Sequence, residues 1–285
     1  MQVPEDPKAR VAAIYDSAAE GYGAPALSFW DRFGQRTIER LRLEPRMRVL
    51  DACCGSGASA LPAARSVGPD GQVLAIDLSE RLLNRGRQRA ARLGLRNVQF
   101  QCGDLERLGL PERSFDVAVC VFGIFFLPDM VAGVQALRRQ VRPGGRLAIT
   151  TWGQGVFDPA DKIFWDTVGR VRPDLHKTFS PWERLGDPAK LRGLLDEAGI
   201  PGSEITFEEG LHPLATPEAF WDLVLGSGYR GAVDPMTEPE RATVRREVLA
   251  ALRAGRVTAI NASVLYAAAT LPAERVADRS PSRVP

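Results

Sequence analysis

Val49-Leu50-Asp51-Ala52-Cys53-Cys54-Gly55-Ser56-Gly57 decides the reading of this chain. The stretch sets an apolar strand, a carboxylate near its end and two glycines just beyond it. Without Cβ atoms, the backbone at Gly55 and Gly57 can turn sharply and press against a ligand. Further on, Gln72-Val73-Leu74-Ala75-Ile76-Asp77 reads as a second buried strand. It too ends in an acid, placed where a ribose offers two hydroxyls. The two motifs together predict a nucleoside-containing cofactor.

Two cofactors compete for these residues. Gly55, Gly57 and Ala60 also satisfy the dinucleotide fingerprint GxGxxA, and Asp77 stands where a NAD-binding acid would. Asp51 separates the readings. A dinucleotide places pyrophosphate at the helix N-terminus, and a carboxylate just before Gly55 would repel it. An ammonium and a sulfonium would be attracted instead.

The motifs continue in order through Gln101-Cys102-Gly103-Asp104, Leu110 to Asp116 (LPERSFD), Phe122-Gly123-Ile124-Phe125-Phe126-Leu127-Pro128-Asp129 and Arg142-Pro143-Gly144-Gly145. On these residues the chain resembles the class I S-adenosylmethionine-dependent methyltransferases, and within them the branch similar to quinone-biosynthesis C-methyltransferases. The resemblance covers about half the chain. One departure stands out, because the family pattern often has glycine where this chain has Cys53.

Composition agrees with an α/β enzyme of this kind. A chain of 285 residues with 45% hydrophobic content exceeds a minimal core, so one domain with added helices is expected. The formal net charge is +2, and the four lysines stand against thirty-three arginines. No domain-wide basic surface emerges, which argues against a nucleic-acid partner. The five arginines of 81–92 fall on the solvent face of a packed helix. Cys53, Cys54, Cys102 and Cys120 show no CxxC spacing and read as small hydrophobes in a reduced compartment. The N-terminus is polar, and no apolar run reaches the roughly 20 residues that span a bilayer, so a cytoplasmic location is expected. No clustered His, Asp and Asn set suggests a metal.

Strands Arg48 to Ala52, Val73 to Asp77, Val98 to Cys102, Phe115 to Phe122 and Arg146 to Thr151 alternate with helices from Ala58, over Glu80 to Leu93 and over Met130 to Val141. That alternation predicts a Rossmann-like, doubly wound, seven-stranded sheet. Glu204 to Glu208 and Ser263 to Ala268 supply its last strands, and the resemblance implies that the final one is antiparallel. The expected divisions are a helical lid at 1–44, a cofactor-binding core at 45–152 and a substrate-covering insertion at 153–186. The rest of the core, 187–272, carries a helical lid insertion near 213–258, and 273–285 is an aperiodic tail.

The resemblance implies roles for particular side chains. Asp51 anchors the loop near the cofactor's ammonium, while Gly55 and Gly57 permit close approach. Asp77 accepts both ribose hydroxyls, and Asp104 accepts from the adenine amino group between Leu78 and Leu105. Tyr22 covers the cofactor, and Phe122 lies beside the transferable methyl. Solvated strand-end carboxylates and plain core packing of Phe122 are the simpler alternatives. The aromatic set Phe125, Phe126, Trp152, Phe157, Trp165, Phe179, Trp182, Trp221 and Tyr229 predicts a small apolar, aromatic acceptor of natural-product or quinone type.

A base is harder to place. Only His176 and His212 exist, and His212, at the head of the long insertion, is the candidate. The resemblance to carbon methyltransferases, with no strong base evident, implies methylation at carbon over oxygen or nitrogen, since an electron-rich carbon needs little base. Phe122-Gly123-Ile124-Phe125-Phe126 replaces the NPPY or Pro-Cys motif of a nucleic-acid methyltransferase. A nucleic-acid or protein methyltransferase and a non-catalytic S-adenosylmethionine-binding protein stay open as alternatives.

Overall fold

The structure is a computed structural model that describes residues 6–177 and 180–273. Phe179 and the expected tail beyond residue 273 lie outside the described residues. Helices α1 (Pro7–Ala18) and α2 (Phe29–Leu41) precede the first strand, β1 (Arg48–Ala52). Then follow α3 (Ala60–Val67), β2 (Gln72–Asp77), α4 (Glu80–Arg92), β3 (Val98–Cys102), β4 (Phe115–Val121), α5 (Met130–Gln140) and β5 (Val141–Trp152). Next come α6 (Ala160–Val171), α7 (Pro188–Glu197), β6 (Glu204–Glu208) and the short β7 (Leu211–Pro213). Helices α8 (Pro217–Leu225), α9 (Arg230–Val233) and α10 (Glu238–Ala254) lead to β8 (Ala259–Asn261) and β9 (Val264–Thr270).

Seven strands form one sheet in the order β3-β2-β1-β4-β5-β9-β6. The first five strands of that order pair in parallel, and β9 runs antiparallel between β5 and β6. Strand order reverses between β1 and β4, so the crevice outside their carboxyl ends is the place for a ligand. Val49, Leu50 and Ala52 are fully buried, as a strand covered by helices on both faces must be. Side chains cap the helices that follow: Ser79 accepts from the Leu82 N–H, Asp129 from Ala132 and Asp187 from Ala189. No helix among the described residues is long and apolar enough to cross a membrane.

Several boundaries differ from the sequence reading for identifiable reasons. The stretch from Ala9 to Leu43 is two helices, interrupted by 3₁₀ turns at Gly21–Gly23 and Pro25–Leu27, because glycine and proline break the ladder there. The 216–254 segment is likewise three helices, divided near Gly226-Ser227-Gly228 and Pro235. Strand β5 begins before the Gly144-Gly145 turn, since Val141 already pairs with Phe115 ahead of a register shift. Helix α2 is not a detachable lid. Phe29, Phe33, Ile38 and Leu41 are buried, and Phe29 meets the rings of Trp152 and Phe157 at 5.6 and 5.4 Å. Within the expected 1–44 unit, α1, the turns after it and Trp30 at the start of α2 border the crevice.

Gly34 lets α2 approach the loop after β1. A Cβ there would lie 2.4 Å from the Ala58 carbonyl oxygen and 2.5 Å from its carbon, both backbone atoms. Alanine improves helix propensity by about 1 kcal/mol, whereas overpacking against rigid backbone costs about 1–3 kcal/mol. Gly34→Ala is therefore expected to lower the thermal midpoint by a few degrees in calorimetry. A midpoint at or above that of the wild type would mean that α2 can lift from the loop without cost.

Candidate active site

The parallel register of β1 with β4 pairs Ala52 with Cys120, so the two strand exits, Cys53 and Phe122, emerge side by side. Both residues turn in the left-handed region, at φ 57° for Cys53 and 56° for Phe122, as do Gly55 at 53° and Gly57 at 86°. At Cys53, where the family pattern favours glycine, the side chain is accommodated by the opposite strand. A Cβ on Gly123 would fall 2.2 Å from the Cys53 Cβ and 2.7 Å from its Sγ. The glycine has in effect been relocated across the crevice, and the loop keeps its left-handed turn.

Hydrogen bonds hold the loop against β2. The Gly55 N–H donates to Asp77 Oδ2 at 2.8 Å, and the Ser79 N–H donates to Oδ1 at 2.9 Å. Cys54 donates its N–H to the Ile76 carbonyl at 3.0 Å. Burial pushes the Asp77 carboxyl above the usual range, opposed by the bonds from Ser79, Gly55 and Leu78. Asp51 is fully buried, accepts from Ser59 Oγ at 2.7 Å through Oδ2, and leaves Oδ1 without a partner. Its pKa is pushed up to about 7, chiefly by desolvation.

A cavity opens above this floor. Tyr22, Gly55, Asp77, Leu78, Asp104, Leu105 and Phe122 all line it. Asp51 and Gly57 lie behind it. Asp51 reaches the cavity through Ser59, and Gly57 packs where a Cβ would meet Phe100 and Leu61 at 3.0 and 3.2 Å. Phe122 is also core, its ring stacked on Trp152 at 4.0 Å and its N–H bonded to the Thr150 carbonyl at 2.9 Å. Tyr22 stacks on Trp30 at 5.6 Å with an interplanar angle of 3°.

Lys8, Tyr15, Trp30, Cys53 and Phe126 join the lining without having been singled out as cofactor ligands in the sequence. Lys8 donates to Asp104 Oδ2 at 2.8 Å and also pairs with Glu106. The acid expected to read an adenine amino group is thus shared with α1, a partner 96 residues away that no local pattern marks. Asp16 fastens the same helix by accepting from Ser79 Oγ at 2.6 Å and from the Arg81 N–H at 3.2 Å.

The charge balance tests the cofactor. Lys8 is the only cation among the described lining residues, and it is already paired. Half-buried Asp77 and buried Asp51 therefore give the floor its acidic character. That floor repels a pyrophosphate and fits a ligand carrying an ammonium and a sulfonium.

The sequence-based base does not join this group. His212 lies in β7, paired with Ile260 of β8, and is only 4% exposed. Its ring meets Phe29 edge-on at 5.1 Å, a hydrogen bond ties it to the Ala26 backbone, and burial lowers its pKa. It lines neither this cavity nor the groove beside it.

That groove shares Val11, Tyr15, Phe126 and Leu127 with the cavity and adds Phe125, Trp165, Trp182 and Tyr229. A small chamber walled by Trp30, Trp152, Phe157 and Tyr229 lies between them. Trp221, expected in the same set, is buried elsewhere in the core. Tyr229 donates its hydroxyl to Asp161, which also accepts from Trp165 Nε1 at 3.2 Å.

Residues 49–145 match the methyltransferase-domain family. Over 217 residues the chain is 33% identical to nocamycin O-methyltransferase of Saccharothrix syringae, covering 76% of this chain and 71% of that protein. It is 33% identical to aklanonic acid methyltransferase DauC of Streptomyces sp. (strain C5), over 50% of this chain and 66% of that one. It is 29% identical to a demethylmenaquinone methyltransferase of Listeria monocytogenes, over 59% and 76%. Among solved structures, Haemonchus contortus phosphoethanolamine N-methyltransferase 2 with S-adenosyl-L-methionine superposes with a TM-score of 0.54 at 17% identity, covering 90% of this chain and 57% of that one. The [4+2]-cyclase SpnF gives 0.52 at 21% identity, covering 85% and 81%. At these identities the structures share the fold alone.

If Gly123 compensates for Cys53, the two positions are coupled. Gly123→Ala should destabilise the protein and weaken S-adenosylmethionine binding, and adding Cys53→Gly should restore most of both. A coupling energy of about 1–3 kcal/mol is expected in a denaturation double-mutant cycle, and strictly additive effects would count against the compensation.

Proposed function

Because the chain belongs to the class I S-adenosylmethionine-dependent methyltransferases, we propose that it methylates a small, hydrophobic, aromatic acceptor of natural-product or quinone type, at carbon in preference to oxygen or nitrogen. The observation that carries this reading is the aromatic groove that adjoins the cofactor cavity across Tyr15 and Phe126. A groove so lined pays for its burial with flat apolar molecules and gains little from large polar ones.

When bound, the cofactor supplies an already activated methyl group, so this chain's task is positioning and exclusion of water. Asp77 and the Gly55 loop fix the nucleoside end, with Leu78 and Leu105 on either side of the base. Asp51 acts through Ser59 on the positive end. Tyr22 and Tyr15 close the cavity from the lid, edge to face at 6.3 Å. Phe122 and Gly123 border the end from which the acceptor is approached.

Absence of an imidazole from the described lining favours carbon. Asp77 is occupied by backbone donors, and Asp161 by Tyr229 and Trp165. An ionised enol or phenol with nucleophilic carbon needs no further deprotonation before attack. The relatives that act on aklanonic acid and demethylmenaquinone, by their names, support an acceptor of this size. Nocamycin O-methyltransferase keeps oxygen as the competing target.

Two measurements test the reading. S-Adenosylhomocysteine release should require a flat aromatic acceptor, and release only with nucleic acid or protein would overturn the substrate class. Asp77→Ala should weaken S-adenosylmethionine binding by about 1.5–3 kcal/mol in calorimetry, as loss of charged hydrogen bonds does. His212→Ala should keep turnover per folded molecule. A loss on the order of 10²-fold would restore a histidine base and favour oxygen.

A further inference from the structure

The aromatic groove has a charge pattern that a neutral acceptor does not explain. Three cations line it, Arg10, Lys177 and Arg184, and no carboxylate does so among the described residues. Arg184 is committed to the fold, donating to the carbonyls of Phe125, Leu127 and Pro128 at 3.4, 2.9 and 3.3 Å. Arg10 and Lys177 carry no such commitment. Among the described residues neither side chain forms an ion pair.

The nearby acids are otherwise engaged. Glu183 accepts from the Ser180 N–H at 2.9 Å, and Asp161 is bonded behind Tyr229 and Trp165. Lys177 holds its ammonium 5.7 Å from the centroid of the Trp165 ring. Desolvation, and then the charge of Arg10, lowers its pKa. Two like charges, from α1 and from the chain after α6, are therefore brought together beside aromatic walls with no counter-charge.

We propose that the acceptor is an aromatic acid, bound with its ring against Phe126, Trp182 and Tyr229 and its anionic group between Arg10 and Lys177. This rests on reading the groove as the acceptor site and names the acceptor more narrowly. An anion there relieves the Arg10–Lys177 repulsion and gains charge-assisted hydrogen bonds at the exposed mouth of the groove, beside its aromatic walls. Both cations line the groove and not the cofactor cavity, whereas Tyr15 and Phe126 line both. The acid is accordingly a handle that orients the ring, and the methyl group is delivered to another atom.

The test uses the full chain with saturating S-adenosylhomocysteine, and titrates 1-hydroxy-2-naphthoic acid and its methyl ester against quenching of tryptophan fluorescence. The acid is expected to bind about tenfold more tightly than the ester, with a preference that shrinks as salt rises. Arg10→Gln and Lys177→Gln should each collapse that acid-over-ester ratio, and Arg10→Lys should retain most of it. Equal binding of acid and ester, binding of neither, or variants that weaken both alike would overturn the proposal. Product release with S-adenosylmethionine is measured in parallel. A preserved acid preference with no methylation of any acceptor would sink the transferase reading while leaving the anion site in place.

Discussion

The hydrogen bond from the Gly55 N–H to Asp77 Oδ2, 2.8 Å long, ties the exit of β1 to the exit of β2, and the site is built outward from it. It requires a left-handed turn at Gly55, and that turn brings the loop under Tyr22, whose hydroxyl lies 3.2 Å from where a Cβ would stand. The same carboxylate caps the chain entering α4 through Ser79, and Ser79 in turn holds Asp16 of α1. One half-buried acid thus links the loop after β1, helix α4 and, through Ser79, helix α1. Both of its oxygens accept a backbone N–H, and its side chain lines the cavity.

Charge explains why these parts belong together. Burying Asp51 and Asp77 without a cation is unfavourable in isolation, and both carboxyls titrate above their ordinary range for that reason. A cationic ligand removes the penalty, so the free energy stored against the empty site returns as affinity. At the rim Lys8 pairs with both Asp104 and Glu106, offsetting one of their two charges while bringing α1 across the opening.

Much of this was legible in the sequence because it is local. The strand-acid-glycine order of 49–57, the acid ending 72–77 and the alternation of strands and helices each require only neighbouring residues. Antiparallel β9 came from resemblance, since nothing in Val264–Thr270 specifies its direction. What escaped depends on pairs far apart. Lys8 meets Asp104 across 96 residues, and the clearance for Cys53 is provided by Gly123 in the turn after β4. His212 was misplaced because its position after β6 suggested the crevice. Pairing of β7 with β8 instead turns it inward against Phe29. The helix Phe29–Leu41 was read as lid for a similar reason: its apolar stripe announces burial but not against what.

Two of the seven described non-glycine residues with positive φ line the cavity. Cys53 and Phe122 are non-glycine residues in the left-handed region, each costing about 1–2 kcal/mol, and they stand side by side at the exits of β1 and β4. The surroundings over-determine both. Phe122 is held by its N–H bond to Thr150 and by stacking on Trp152, which also touches Trp30, Phe29 and Phe157. Relaxing Phe122 to an ordinary conformation would pull its ring from Trp152 and open the wall of the cavity. The aromatic core is therefore not a passive filler beneath the site. It supplies the packing energy that keeps two strained residues, and through them the geometry of the crevice, in a single arrangement.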